Sequence, residues 1–440
     1  MADAPLSGGR KPPVQSLTSV ERPTQGAYAP RSGLLAAALF TAFAVVQALT
    51  PGTMPDFFIF RLGAALTARG ESPYDIPKVR AEVAKEFPDP DLEPKPESFL
   101  NNCGYFLPPQ ATVLFLPFAM LPWPYAKVAW ALLQGLVGFA IATLPNLWRT
   151  DDAKRAATGR ERASLVPRLV PFLLLLNFLA LAVVMVGQFA VVFVGCVAAG
   201  LWCFARGDRL GAWLGVLLWS VAFVKPHVAL PVITLAWYLG GWKRAAALVG
   251  VVAAFNLIGA TLVGGSPLFL RDYLDYLGGS FRAVMFNRAE LNYEMTSWNR
   301  LLYVLTEQHF GDRFLIEQTA KTAVASYLVW FGLVLGRCGI AGVKPSAAWA
   351  LAATAAGAVW CPQVLGYEAL ALALAVPWVQ TLFADGRRAY GFAAVLLLGL
   401  QAIPFQALDK IGFDFHRPLG VALFAVLVLV APIKKASGAA

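Results

Sequence analysis

Long apolar runs recur down this chain, separated by loops that are either short and basic or long and mixed in charge, and that alternation leaves few folds open. The first run, Gly33 to Thr50, carries no charged residue at all. With 58% hydrophobic and 14% charged residues over 440 positions, the chain holds more apolar surface than one water-soluble core can bury. Backbone polar groups in a bilayer must be satisfied within the segment, so the runs are read as helices. The expectation is an all-α polytopic membrane protein with about 11–13 transmembrane helices and outer-face loops.

The loops set the topology. The formal net charge of +10 falls in short clusters between apolar runs, not on one basic face, which argues for a topology signal and against nucleic acid as a partner. The basic loops belong inside: the tail with Arg10, Lys11, Arg22 and Arg31, the stretch Arg149 to Arg168, then Arg206/Arg209, Lys243/Arg244, Arg337/Lys344, Arg387/Arg388 and Lys434/Lys435. Residues 51–107, 266–312 and 405–417 are longer, mixed and aromatic, and belong outside. Crossings then fall at roughly 33–50, 124–147, 169–186, 189–205, 211–224, 226–241, 245–263, 316–336, 347–360, 363–383, 389–404 and 418–433. Segment 108–122 is expected to be interfacial or re-entrant. The domain reading is a disordered cytoplasmic tail at 1–32, an integral membrane domain at 33–433 and a cytoplasmic tail at 434–440.

Metal and disulfide chemistry find little support. Cys103, Cys196, Cys203, Cys338 and Cys361 show no CxxC spacing, and Cys196 with Cys203 sit inside an apolar run like packed core residues. His227, His309 and His416 are scattered, with no HExxH pattern. No metal site and no cofactor is expected.

Polar groups within or beside the apolar runs are the candidates for chemistry, because an ionisable group at membrane depth is expensive. Asp56 follows the first run and precedes a short apolar helix, Phe57 to Ala68, stopped by Gly70. It reads equally as the N-cap of that helix or as a catalytic base. Tyr74 and Asp75 lie in the turn that follows, and Tyr105 comes late in the same loop. Gln188 lies in a turn between two runs, Lys225 and His227 flank the Lys225-Pro226 break, and Gln363, Tyr367 and Glu368 follow Cys361-Pro362. Together they describe an outward-facing cavity with one carboxylate, amides, aromatics and isolated cations, suited to a polar head group on a membrane-embedded tail. The bland readings stay open: Lys225 snorkelling, Tyr74, Tyr105, Tyr293 and Trp298 as an interfacial belt, and Glu368 as a paired structural carboxylate.

The order of the landmarks adds a further reading. Asp56-Phe57, then Leu66, Gly70 and Pro73-Tyr74-Asp75, then Tyr105 with Pro108-Pro109, Leu116 to Pro122 and Trp130, resembles glycosyltransferase family 87. Gly187-Gln188, Ala222 to Pro226 and Thr296 to Leu302 continue the resemblance, which spans about residues 33 to 385. Two places depart from it: the family's Asn-Gln-Ser stands here as Met295-Thr296-Ser297, and its late Ser-Pro motif as Cys361-Pro362 with Tyr367-Glu368.

The resemblance implies a GT-C-type fold and a multi-pass enzyme of a bacterial-type inner membrane, with its active site on the outer, periplasmic face. It implies a polyprenyl-phosphate sugar donor, a lipid or glycan acceptor, and transfer of a hexose, mannose being the family's sugar. Asp56 would be the base, Lys225 and Arg300 would meet the donor phosphate, and Tyr74, Asp75, Tyr105, Gln188, His227, Ser297 and Glu368 would contact substrate. The competing class is a transporter or lipid-linked glycan flippase, which predicts inverted repeats and polar groups around the midplane. A scaffold role in envelope assembly is the third, and it would leave Asp56 free to vary.

Overall fold

The computed structural model describes residues 31–75, 77–79, 81–82, 105, 107–144, 165–263, 265–278, 296–305, 319–341, 345–360, 366–403 and 415–433. The two tails, the acid-rich stretch 87–96, most of the basic loop 149–168, and Cys103, Tyr293, His309, Cys361 and Gln363 lie outside the described residues.

The regular elements are helices. In chain order they are α1 Arg31–Leu49, α2 Pro55–Ala68, α3 Gln110–Ala119, α4 Trp123–Thr143, α5 Leu165–Leu175, α6 Phe178–Val186, α7 Ala190–Ala205, α8 Arg209–Ala222 and α9 Pro226–Ile258. A π-helical turn, Gly259–Val263, closes α9. Then come α10 Leu268–Gly278, α11 Trp298–Leu305, α12 Thr319–Ala341, α13 Ala347–Trp360, a 3₁₀ helix Gly366–Ala375, α14 Val376–Ala384, α15 Arg388–Ala402 and α16 His416–Val430.

Four described helices are long and apolar enough to cross a bilayer: Arg31–Leu49, Trp123–Thr143, Pro226–Thr261 and Val324–Ala341. Most of the others are shorter than the ~20 residues a straight crossing demands. Their apolar flanks are continued by breaks rather than by helix. The run 169–205, for example, turns through 114° between Val186 and Ala190. The runs 226–241 and 245–263 are two helices, together labelled α9, that meet at a break where Gly241 takes φ 68° and ψ −175°.

Packing fixes the helix that carries Asp56. The aromatic face of α2 meets α3 and α4: the Phe57 ring stacks on Trp130 at 4.9 Å and 6°, and lies edge-on to Phe118 at 5.5 Å. Arg61 donates through Nη2 to the Leu121 carbonyl at 2.7 Å and through Nε to that of Phe118 at 3.2 Å, tying α2 to the chain at the end of α3. At the other end of the chain, Arg337 donates to the Leu429 carbonyl and Arg387 to that of Pro432, so two cations close the C-terminus of α16.

One expectation is corrected here. Asp56 is not the N-cap of α2. Met54 holds that position, in the left-handed region at φ 65°, and makes no side-chain cap bond. Pro55 takes the first helical position, where its missing N–H costs nothing, and so moves the boundary back. Asp56 stands inside the first turn, still within reach of the helix dipole.

Candidate active site

Three chain breaks assemble the site. The first is the Met54 turn, whose N–H donates to the Met185 carbonyl at 2.8 Å and so ties the start of α2 to the end of α6. The second is Gly187, at φ 73°. It ends α6 with the Gln188 N–H reaching back to the Val183 carbonyl at 2.9 Å and its own N–H to Val184 at 3.1 Å, the pairing that a left-handed residue makes possible. A Cβ at Gly187 would also stand 2.7 Å from Phe57 Cβ, so glycine is required both for the turn and for the approach of α2. The third is the Lys225-Pro226 break, where Pro226 starts α9 and the Lys225 carbonyl accepts from Val228 and Ala229.

These breaks bring four sequence candidates into one bonded chain. Gln188 Nε2 donates to Asp56 Oδ2. Lys225 Nζ donates to Gln188 Oε1 at 2.7 Å and to Glu368 Oε1 at 2.6 Å. His227 Nε2 lies 3.8 Å from the same Glu368 oxygen. Asp56 is 5% exposed, Gln188 1%, Lys225 3% and Glu368 4%, so the chain is held away from bulk water. His227, 31% exposed at the side chain, is its accessible member. Glu368 enters from the 3₁₀ helix, an unusually long run of that tight geometry.

The amide in the middle has a forced orientation. Gln188 turns its N–H toward a carboxylate and its oxygen toward an ammonium, the only arrangement that suits both charges. Gln134, in α4, steadies the same turn by donating from Nε2 to the Gln188 carbonyl at 3.2 Å. Sequence reasoning missed Gln134. Its signal was present, a lone amide in an apolar run one turn beyond Trp130, and the structure buries it fully.

The other candidates occupy two further places. Tyr74 and Tyr105 belong to an aromatic cluster with Tyr273 and Tyr276 of α10, with ring centroids 5.5–5.7 Å from that of Tyr74. The Tyr74 hydroxyl donates to the Leu107 carbonyl at 2.8 Å, and burial pushes the phenols of Tyr74, Tyr105 and Tyr273 above their ordinary range, keeping them neutral. Asp75 sits in the adjoining turn and accepts from the Lys78 N–H at 3.3 Å. Ser297 and Arg300 are buried at α11, which packs against α16; the Ser297 carbonyl accepts from the Arg300 N–H at 3.1 Å. Also missed were His416 and Arg417 at the start of α16, both buried, with Arg417 Nε 3.1 Å from the Ile403 carbonyl. They fall in a loop that reads as surface from composition.

A family model for glycosyltransferase family 87 matches residues 105–404. The chain belongs to glycosyltransferase family 87. It is therefore a membrane glycosyltransferase, and the sequence resemblance is borne out as to family and helical membrane fold. The match takes in Gln188, Lys225, His227, Arg300 and Glu368 but begins beyond Asp56 and Tyr74. What ties Asp56 to the family-matched region is its bond to Gln188. No curated protein and no solved structure matches the chain.

Proposed function

We propose that this enzyme transfers a hexose, mannose, from a polyprenyl-phosphate sugar to a hydroxyl of a lipid or glycan acceptor, on the outer face of a bacterial-type inner membrane. The observation that carries the reading is the buried chain from Asp56 through Gln188 to Lys225 and Glu368. It joins a base candidate to a cation, which is what a displacement at a phosphate-activated anomeric carbon needs at its two ends.

The reaction is a single displacement with inversion. Asp56 takes the proton of the acceptor hydroxyl as the new bond from that oxygen to the anomeric carbon forms. The bond from the anomeric carbon to the phosphate oxygen breaks, and its electron pair leaves with the lipid phosphate. Lys225 stabilises that departing charge, with Arg300 as a second cation and His227 at the accessible edge. Gln188 holds the base and the cation in register, and Glu368 keeps Lys225 aimed. Ser297, Tyr74, Asp75 and Tyr105 serve the sugar or the acceptor.

The test is transfer from purified polyprenyl-phosphate sugars into a membrane lipid extract, read by mass spectrometry. Asp56→Asn keeps an acceptor oxygen for Gln188 and is expected to fold and insert while transfer falls at least about a hundredfold, the usual scale for loss of a general base. Near-native transfer by that variant would remove Asp56 from the mechanism.

A further inference from the structure

The corner where α1 ends and α4 begins collects positive charge that the reaction does not use. Lys127 stands in the second turn of α4, a helix long and apolar enough to cross a bilayer, and is only 7% exposed. Its Nζ donates to the Thr50 carbonyl at 2.9 Å and lies 5.6 Å from the centroid of the Trp123 ring. The Arg61 guanidinium, from α2, lies 6.0 Å from the same centroid. One indole thus meets two cations.

A buried charge in a membrane helix needs compensation, and Lys127 has little. Among the described residues, no carboxylate forms an ion pair with it. The C-terminus of α1, which it meets through Thr50, carries roughly half an elementary negative charge. The start of α4, which has no side-chain cap, carries about the same amount of positive charge. The two termini offset each other, so the corner keeps roughly one full positive charge before Arg61 is counted.

The surroundings say what kind of anion fits. Leu49, Met120 and Tyr125, beside the charges, are 69%, 79% and 68% exposed, and further along α4 Leu132 and Leu136 also face outward. A cation beside an aromatic ring, at the rim of an apolar outer surface, matches a lipid headgroup with its acyl chains below. The corner is also set apart from the reaction centre. Arg61 lies one turn after Phe57, on the side of α2 that meets α3 and α4, whereas Asp56 meets Gln188.

We infer that this corner binds the phosphate of an anionic phospholipid, whose acyl chains lie along the outer flank of α4. Lys127 supplies a charge-assisted hydrogen bond, Trp123 sits at headgroup level, and Arg61 carries the contact onto the helix that holds Asp56. A zwitterionic lipid brings its own ammonium, which two cations repel, so the site selects a headgroup of net negative charge. The inference concerns neither sugar donor nor acceptor.

The test is native mass spectrometry of the full-length protein in neutral detergent, titrated with phosphatidylglycerol or with phosphatidylcholine of the same acyl chains. Phosphatidylglycerol is expected to bind at least about tenfold more tightly, the scale of one hydrogen bond to a charged group. Lys127→Gln should abolish that preference and Lys127→Arg should keep most of it. Equal affinity for the two lipids, or an undiminished preference in Lys127→Gln, overturns the inference. Inorganic phosphate bound as tightly as phosphatidylglycerol overturns it as a lipid site. A second measurement needs no variant to fold: phosphatidylglycerol with a diazirine in its headgroup is photolysed with the wild type. Label on residues 49–61 or 120–127, competed by unlabelled phosphatidylglycerol and not by phosphatidylcholine, supports the site. Label confined to other segments, or competed equally by both lipids, overturns it.

Discussion

Lys225 and Glu368, 143 residues apart, form an ion pair of 2.6 Å in which neither side chain is more than 4% exposed. A buried pair of this kind repays its desolvation only while both charges are present. In the proposed mechanism its placement next to Gln188, and through Gln188 to Asp56, makes it part of the site.

Removing one charge should therefore cost more than removing both. Glu368→Gln and Lys225→Met are each expected to lose about 3–5 kcal/mol of stability. The double variant Lys225→Met/Glu368→Leu should regain much of that loss without regaining transfer. Thermal unfolding in detergent, alongside the transfer assay, separates the two effects. A double variant as unstable as the singles would show that shape, not charge balance, governs this position.

Gln188 is a positioning residue in this reading. Gln188→Leu strips Asp56 of a donor and Lys225 of an acceptor, and the expected loss is about 1–3 kcal/mol, roughly 5- to 150-fold in kcat. KM for the donor should move much less. Gln188→Glu, which turns an oxygen instead of an N–H toward Asp56, should be no better than Gln188→Leu. Rescue by Gln188→Glu would contradict the donor role assigned to the amide.

Two glycines near the end of α9 should respond in opposite directions. A Cβ at Gly259 would stand 2.1 Å from the Pro109 carbonyl oxygen, beside the Asn256 to Gln110 hydrogen bond of 3.1 Å, so Gly259→Ala has to push α9 away from α3. The expected cost is about 1–3 kcal/mol. Gly250 has nothing within 4 Å of its Cβ position, and Gly250→Ala should stabilise by up to about 1 kcal/mol through helix propensity alone. Melting temperatures of the two single variants check the contrast.

Asp208 caps α8 by accepting from the Gly211 N–H, and that bond, followed by the neighbouring Arg206, holds its carboxyl below the usual carboxylate value. A depressed folded value means the contribution is present at neutral pH, above the unfolded value, and is lost as pH falls through the folded one. Asp208→Asn preserves the cap geometry and removes the titration. The variant's melting temperature should fall less steeply than the wild type's across the acidic range, and superimposable curves would rule the linkage out.

The helix ends were legible in the residues. Gly70, Gly187 and Pro226 each stand where a helix stops or starts, because a positive φ or a missing N–H acts within a turn of itself. The run from Gly33 to Thr50 became α1, and Asp56, Gln188, Lys225 and Glu368 could all be picked out as costly polar groups among apolar neighbours. The Asp56 cap was misplaced by two residues, since Met54 in a left-handed turn gives no local signal that a non-glycine should carry.

By itself, then, the sequence determined that this is a helical membrane protein of glycosyltransferase family 87, where its helices break, and which polar residues deserved suspicion. Only the tertiary structure decided that Gln188 bridges Asp56 to Lys225, that Lys225 answers Glu368, and that Tyr74 and Tyr105 join the tyrosines of α10. The reason is range. Breaks and apolar patterns are set by backbone stereochemistry and solvent preference within a few residues, whereas a buried donor finds its acceptor through the packing of helices that lie 37 to 143 residues apart along the chain.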